Sequence, residues 1–356
     1  MKKALIAMSG GVDSSVSAYL IKQEGYEAVG ITLKLFTNED IGDLKAKTCC
    51  SLKDVEDAKN VSFKLGMKHY VLNFTDQFKQ DVISRFVAGY EKGFTPNPCI
   101  DCNRFIKFDK LLKKAEEMDF DYIVTGHYGI IEYDELSKRF LLKKSIDEKK
   151  DQSYVLYTLT QSQLAKTLLP LGKMRKSKIR TIALQQNFVN AKKHDSQDIC
   201  FVRDGQYAGF IENYMGKTYQ PGNFVDVNGN IIGQHKGIIN YTIGQRKGLG
   251  LNYHKRFFVC DKNINENTVT LGNPENLYSK QLDADDINLI ACEKIDKPLR
   301  VKAKIRYNQK EESATVEQTA DNKIHIEFDS PQRAITKGQA VVLYDKDIVV
   351  GGGTII

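Results

Sequence analysis

The run KALIAMSGGVDSSVSAYLI at residues 3–21 constrains the fold more than any other stretch of this 356-residue chain. KALIAM (3–8) is apolar and stops at Ser9-Gly10-Gly11, which reads as a buried strand ending in a turn. Apolar residues then recur at three-to-four spacing over 13–24, which predicts a helix. Two glycines in the connecting SGGVDSS (9–15) let the backbone fold tightly, so that successive N–H groups face one anion. The helix N-terminus adds partial positive charge, and Ser9, Ser14 and Ser15 offer hydroxyls. No Gly-Lys-Ser/Thr follows, so the loop is not of the Walker type. Asp13 is the odd guest in an anion cradle, unless it holds a metal ion or caps the helix.

The same alternation continues through the first 200 residues. AVGITLKL (28–35), KHYVLN (68–73) and YIVTGH (122–127) read as further buried strands, with helical patterns over 52–66, 76–92 and 104–118. Strand–helix alternation predicts an α/β domain with a parallel sheet covered on both faces. Ligands of such sheets sit at the carboxyl ends of the strands, which lines up 9–15, 37–50 and 126–127 along one edge. Beyond about residue 205 the texture changes to Asn-Gly turns and alternating runs, as in FVDVNGNIIGQHKGIINYTIGQRKGLGL. From about 284, strand-like segments such as LRVKAKIRYNQ, KIHIEF and QAVVLYD follow one another with no helical period, as in a small all-β barrel. The expected division is 1–205 for the nucleotide-binding domain, 206–282 for a β-rich central domain and 283–356 for a C-terminal β-barrel.

Seven cysteines, odd in number and unevenly spaced, are no disulfide framework. The apolar run in MKKALIAM is too short for a secretion signal or a transit peptide, and no stretch of about 18 apolar residues exists to cross a membrane. A soluble protein of a reducing bacterial cytoplasm is expected. The net charge of +7 permits an anionic partner such as RNA without demanding one.

The SGGVDSS loop resembles the pyrophosphatase (PP) loop of enzymes that split ATP into AMP and pyrophosphate to activate a carbonyl oxygen. Six further segments occur in order: TPNPCIDCNRFIKF (95–108), TGHY (125–128), KDQSYVLY (150–157), DSQDICFV (195–202), YTIGQRKGLG (241–250) and IRYNQ (305–309). Together they are similar to the tRNA-specific 2-thiouridylase family, over about residues 3–353. The resemblance implies replacement of the O2 oxygen by sulfur on the wobble uridine of tRNAs for Lys, Glu and Gln. It implies ATP with Mg²⁺ held by Ala7, Met8, Ser9, Gly10, Gly11, Val12, Asp13, Ser14, Ser15, Leu33 and Gly126. It also implies tRNA contacts at Asn97, Pro98, Cys99, His127, Lys150, Asp151, Gln152, Arg306, Tyr307 and Gln339. Cys102 matches the family's catalytic nucleophile and Cys200 its persulfide carrier. A sulfur-donor protein, such as a cysteine desulfurase or a relay carrier, is implied as well.

The chemistry suits these residues. Uracil O2 is a poor leaving group until AMP is placed on it, and a thiolate or persulfide is then the obvious nucleophile at C2. Cys102, just ahead of the helix expected from 103, would gain from that helix terminus, and Cys200 would ride a polar loop. One departure stands out: many family members carry an aspartate where this chain has Cys99. An alternative route therefore has Cys99, Cys102 and Cys200 ligating a 4Fe–4S cluster with one iron open to sulfide. Structural zinc would need a second ligand pair at finger spacing, and none follows 99–102. Two other classes remain open. An amide-forming ligase of the same superfamily would not need the two cysteines, and a non-enzymatic tRNA-binding or sulfur-carrier module would consume no ATP. Cys49-Cys50 follow the second strand with no assigned role; Cys260 and Cys292 read as small core residues.

Overall fold

The computed structural model describes residues 1–37, 52–195, 199–202, 205–251 and 256–356. Cys49 and Cys50 lie outside the described residues, as does most of the expected 37–50 edge segment. The first domain is built on strands β1 (Lys3–Ala7), β2 (Glu27–Lys34), β3 (His69–Asn73) and β4 (Tyr122–Val124). A hairpin of β5 (Ile130–Asp134) and β6 (Arg139–Lys143) precedes a short β7 (Thr167–Leu168). The parallel sheet runs β3-β2-β1-β4-β7. Strand order reverses between β1 and β4, so a crevice opens at their carboxyl ends. Leu5, Ile6, Ile31, Ile123 and Val124 are fully buried on these strands. KHYVLN is the exception to the expected buried strands: β3 is an edge strand, and Tyr70 and Val71 face outward.

Helices α1 (Val12–Gln23) and α2 (Leu52–Lys64) fall where the periodicity puts them. The helical segment carrying the Cys-x-x-Cys pair does not. It starts at Pro98, because the Asn97 side chain accepts from the Cys99 N–H at 3.1 Å and Pro98 presets the first turn. From Cys102 to Lys110 its hydrogen bonding is of the π type. Cys102 is therefore inside a helix and not ahead of one.

The central domain is a four-stranded sheet of β8 (Gly222–Val225), β9 (Ile231–His235), β10 (Phe258–Asn263) and β11 (Thr268–Gly272), ordered β10-β11-β8-β9. The hairpin turn between β8 and β9 holds Gly229 at φ +86°, where a side chain is strained. Strands β12 (Tyr278–Leu289), β13 (Leu299–Lys304), β14 (Glu312–Ala320), β15 (Lys323–Arg333), β16 (Ala340–Asp345) and β17 (Ile348–Ile355) close into a barrel through the β12–β17 pairing. β12 begins at Tyr278, ahead of the boundary expected at 282/283. The β5–β6 hairpin pairs onto β17 at Lys143–Ile348, so a piece of the first domain extends the barrel's sheet. Among the described residues no helix is long and apolar enough to cross a membrane.

Candidate functional site

The loop after β1 is held mostly by its own atoms. Ser14 Oγ accepts from the Ser9 N–H at 3.2 Å and donates to Gly11 O at 3.1 Å, and Ser15 Oγ donates to Gly11 O at 3.0 Å. Gly10 sits at φ +71°, and a Cβ there would run into the Asp54 backbone. From outside, Asn190 donates to Gly10 O and Ser15 Oγ, both at 2.9 Å, and Lys193 to Gly10 O at 3.0 Å. Ser15 is thus turned inward and Ser9 remains exposed. Gly126, at the end of β4, lies against this turn: a Cβ on it would stand 2.9 Å from Ser14 N. The first N–H groups of α1 therefore face the β1/β4 crevice, the arrangement that takes a phosphate. Ala7, Met8 and Val12 pack beneath the turn, and Leu33 is buried at the end of β2.

Asp13 does not cap the helix, and its carboxylate is paired. Lys176 Nζ lies 2.7 Å from both its oxygens, and Tyr128 donates to it at 2.6 Å. Lys176 also reaches Asp195 at 2.8 Å, as do Lys150 at 2.7 Å and Arg180 at 3.0 Å. Burial pushes the Asp195 carboxyl up, but hydrogen bonds and charge from Lys150 and Lys176 bring it down to about 2. Sequence reading missed Lys176, Arg180 and Asp195, because only the fold joins the 150–152 segment, the SGGVDSS loop and the DSQDICFV motif. With Asp13 paired to Lys176, the carboxylate on this loop is not a ready ligand for Mg²⁺ among the described residues.

The cysteines occupy three environments. Cys99 is exposed, Cys102 buried and Cys200 half-buried. Burial pushes the Cys102 thiol up to about 11, with Lys107 opposing and Cys99 and Asp101 adding to the rise. The helix terminus expected to activate Cys102 does not, since the helix begins a turn earlier. Lys107 donates to Asn103 at 3.0 Å, and its charge bears on both Cys102 and His127. That makes it a further residue the sequence reading missed. Cys200 is not in a polar loop: Phe201 beside it is wedged among Phe78, Phe86 and Phe210, with ring centroids 5.2–5.7 Å away. Among the described residues no three His, Cys, Asp or Glu side chains gather as a metal site, so Cys99, Cys102 and Cys200 do not form a ready cluster ligand set.

Residues 2–204 match the family described as the tRNA methyl transferase HUP domain. Residues 208–273 match its PRC-barrel domain, and 279–355 the aminomethyltransferase beta-barrel domain. A curated relative from Clostridioides difficile, tRNA-specific 2-thiouridylase MnmA, is 52% identical over 99% of this chain and 98% of its own. The chain belongs to the tRNA-specific 2-thiouridylase family. A second 2-thiouridylase, from Acetivibrio thermocellus, is 51% identical over 99% of both chains. Among solved structures, NMN synthetase from Francisella tularensis aligns over 62% of this chain and 79% of its own, with TM-score 0.35 and 15% identity.

The tRNA contacts implied by the 2-thiouridylase resemblance meet a mixed fate. Cys99 is exposed on the first helical turn, beside Asn97 and the buried Pro98. Lys150 is partly exposed on the Asp195 pair. Asp151 is half-buried and accepts from Ser145 N at 2.9 Å and Ser153 Oγ at 2.7 Å. The Gln152 side chain accepts from Tyr128 N at 2.9 Å. His127 is buried, bonded to Thr125 at 2.8 Å and packed on Phe108, and burial lowers its pKa well below the ordinary value. It is thus an internal hydrogen-bonding residue in this structure. Tyr307 donates to Asp151 O at 3.3 Å, and Gln339 donates to Thr95 O at 2.5 Å. Gln339 therefore grips the segment leading to Asn97.

Proposed function

We propose that this chain is a tRNA-uridine 2-sulfurtransferase that forms AMP and pyrophosphate. Its substrates are the wobble uridines of the tRNAs for Lys, Glu and Gln. Residues 7–15, with Leu33 and Gly126, hold ATP, and the N–H groups opening α1 face its phosphates. The uridine O2 attacks the α-phosphorus and expels pyrophosphate. The terminal sulfur of a Cys200 persulfide then attacks C2 and displaces AMP. Cys102 attacks the Cys200 sulfur of that adduct, which releases the 2-thiouridine and leaves a Cys102–Cys200 disulfide. An external thiol reductant supplies two electrons to reopen it, and a sulfur-donor protein reloads Cys200. Asn97, Pro98 and Cys99 meet the flipped base, and Lys150 meets a phosphate.

The observation that carries this reading is the buried Cys102 close to the nucleotide edge. Lys107 acts on both Cys102 and His127, and His127 follows the Gly126 that abuts the phosphate loop. A wobble base held between them meets the nucleotide and the thiol at once. The test is AMP release from labelled ATP with and without unmodified tRNA. Release that depends on tRNA, adenylated tRNA that accumulates in Cys200→Ser, and a disulfide-linked tRNA–enzyme adduct that accumulates in Cys102→Ser support the reading. AMP formed equally without tRNA would sink it.

A further inference from the structure

Several arginines among the described residues pair with an acid. Arg104 grips Asp286, Arg300 pairs with Asp329 at 2.7 Å, Arg180 with Asp195 at 3.0 Å and Arg85 with Asp101 at 3.4 Å. Arg306 and Arg333 differ: among the described residues neither has a carboxylate partner. They nevertheless converge on one turn. A Cβ at Gly244 would stand 3.8 Å from Arg306 Nη2 and 3.7 Å from Arg333 Nη1. Gly244 is at φ +87° and its N–H is tied to Val259 O at 2.8 Å, so the turn is fixed and has no side chain to cover the guanidinium groups.

Both guanidinium groups are also aimed. Arg306 Nη2 donates to Ala334 O at 2.5 Å and to Thr336 Oγ1 at 3.1 Å, which leaves its other N–H groups unassigned. Arg333 is exposed and lies over the Phe258 ring at 5.3 Å. Two like charges brought together, one of them half-buried, destabilise each other unless an anion joins them. Burial and the Arg333 charge both lower the Arg306 pKa, the signature of a cation lacking its counter-charge. Arg246 and Lys247, on the same 241–250 segment, are exposed nearby in sequence.

We propose that Arg333 and Arg306, flanking the Gly244 turn at the seam of the central domain and the barrel, bind a backbone phosphate of the tRNA. The inference rests on the reading that tRNA is the substrate, and it adds Arg333, which no family motif supplied. A phosphodiester fits because guanidinium forks bind phosphate oxygens in pairs. The site fixes register and carries no base specificity.

The test measures unmodified tRNA binding across a salt series for wild type, Arg333→Met and Arg333→Lys. ATP affinity and thermal midpoint are followed in parallel. Methionine keeps an apolar stem over Phe258 while removing the charge, and so separates electrostatics from packing. The expected result is weaker tRNA binding in Arg333→Met and a log–log salt slope shallower by about one. Lysine restores most of the slope, and ATP affinity is unchanged. An unchanged slope in Arg333→Met, with wild-type tRNA binding intact, overturns the site alone. Failure of wild type to bind tRNA at all overturns the functional reading together with it.

Discussion

The phosphate loop and the cysteine segment belong to one domain but are held in different ways. Around Gly11 the hydroxyls of Ser14 and Ser15 bond within three or four residues of themselves, with Asn190 and Lys193 clamping from behind. The segment leading to Cys102 is held from the barrel. Gln339 and the Lys337 carbonyl grip Thr95 across more than 240 residues, and Asp286 of β12 grips Arg104. A binding cradle for a common anion can be local. A thiol that, in the proposed reaction, must meet one base of a tRNA is carried on a segment held by the barrel that comes last in the sequence.

This contrast can be broken at several points, beginning where the effect is largest. Gly10→Ala forces a Cβ into the Asp54 backbone at a positive φ, and ATP binding is expected to weaken by about a hundredfold or more, on the order of 3 kcal/mol. Calorimetric titration with ATP checks it, and unchanged affinity would mean that the loop does not need its left-handed turn. Cys102 comes next. With its thiol pushed up from 9.0 to about 11, its thiolate fraction at neutral pH falls about a hundredfold. Iodoacetamide should therefore label exposed Cys99 first, and Cys102 only as pH climbs towards 11. Rapid labelling of Cys102 at pH 7 without tRNA would show an already activated nucleophile.

Removing Lys176 leaves Asp13 and Asp195 facing each other with less charge between them. Lys176→Met is expected to lose about 2 kcal/mol of stability, discounted because the acids are partly exposed. The sign with pH follows from Asp195. Its folded pKa lies below the unfolded value, so its contribution is present above about 4 and is lost as pH falls towards about 2. The acid-unfolding midpoint should therefore move up in the variant, and a midpoint that stays put would remove the network from the stability account. Gln339→Leu gives the smallest effect. One lost hydrogen bond of about 1 kcal/mol should lower turnover by roughly five- to tenfold, with tRNA affinity unchanged. Weaker tRNA binding at unaltered turnover would instead make Gln339 an RNA reader.

Much of this was legible in the chain. SGGVDSS announces its own geometry because glycine freedom and serine hydroxyls act over a few residues, and the barrel strands announce themselves by alternation. What escaped depends on distant partners. Helical periodicity does not show that Asn97 caps a helix early and so buries Cys102. Nothing near Asp13 in sequence points to Lys176, and nothing near Ile130 says that its hairpin completes a sheet with β17. Phe201 reads as one aromatic in a polar motif until the fold wedges it among three others.

The most direct test of the central claim is nucleoside mass spectrometry on unmodified tRNA for Glu after incubation with ATP, Mg²⁺, a cysteine desulfurase with L-cysteine as the persulfide source, a thiol reductant and iron-free protein. The account predicts 2-thiouridine with wild type, and none with either Cys102→Ser or Cys200→Ser. Product that appears only after iron and sulfide are restored, or that survives loss of either cysteine, would contradict it.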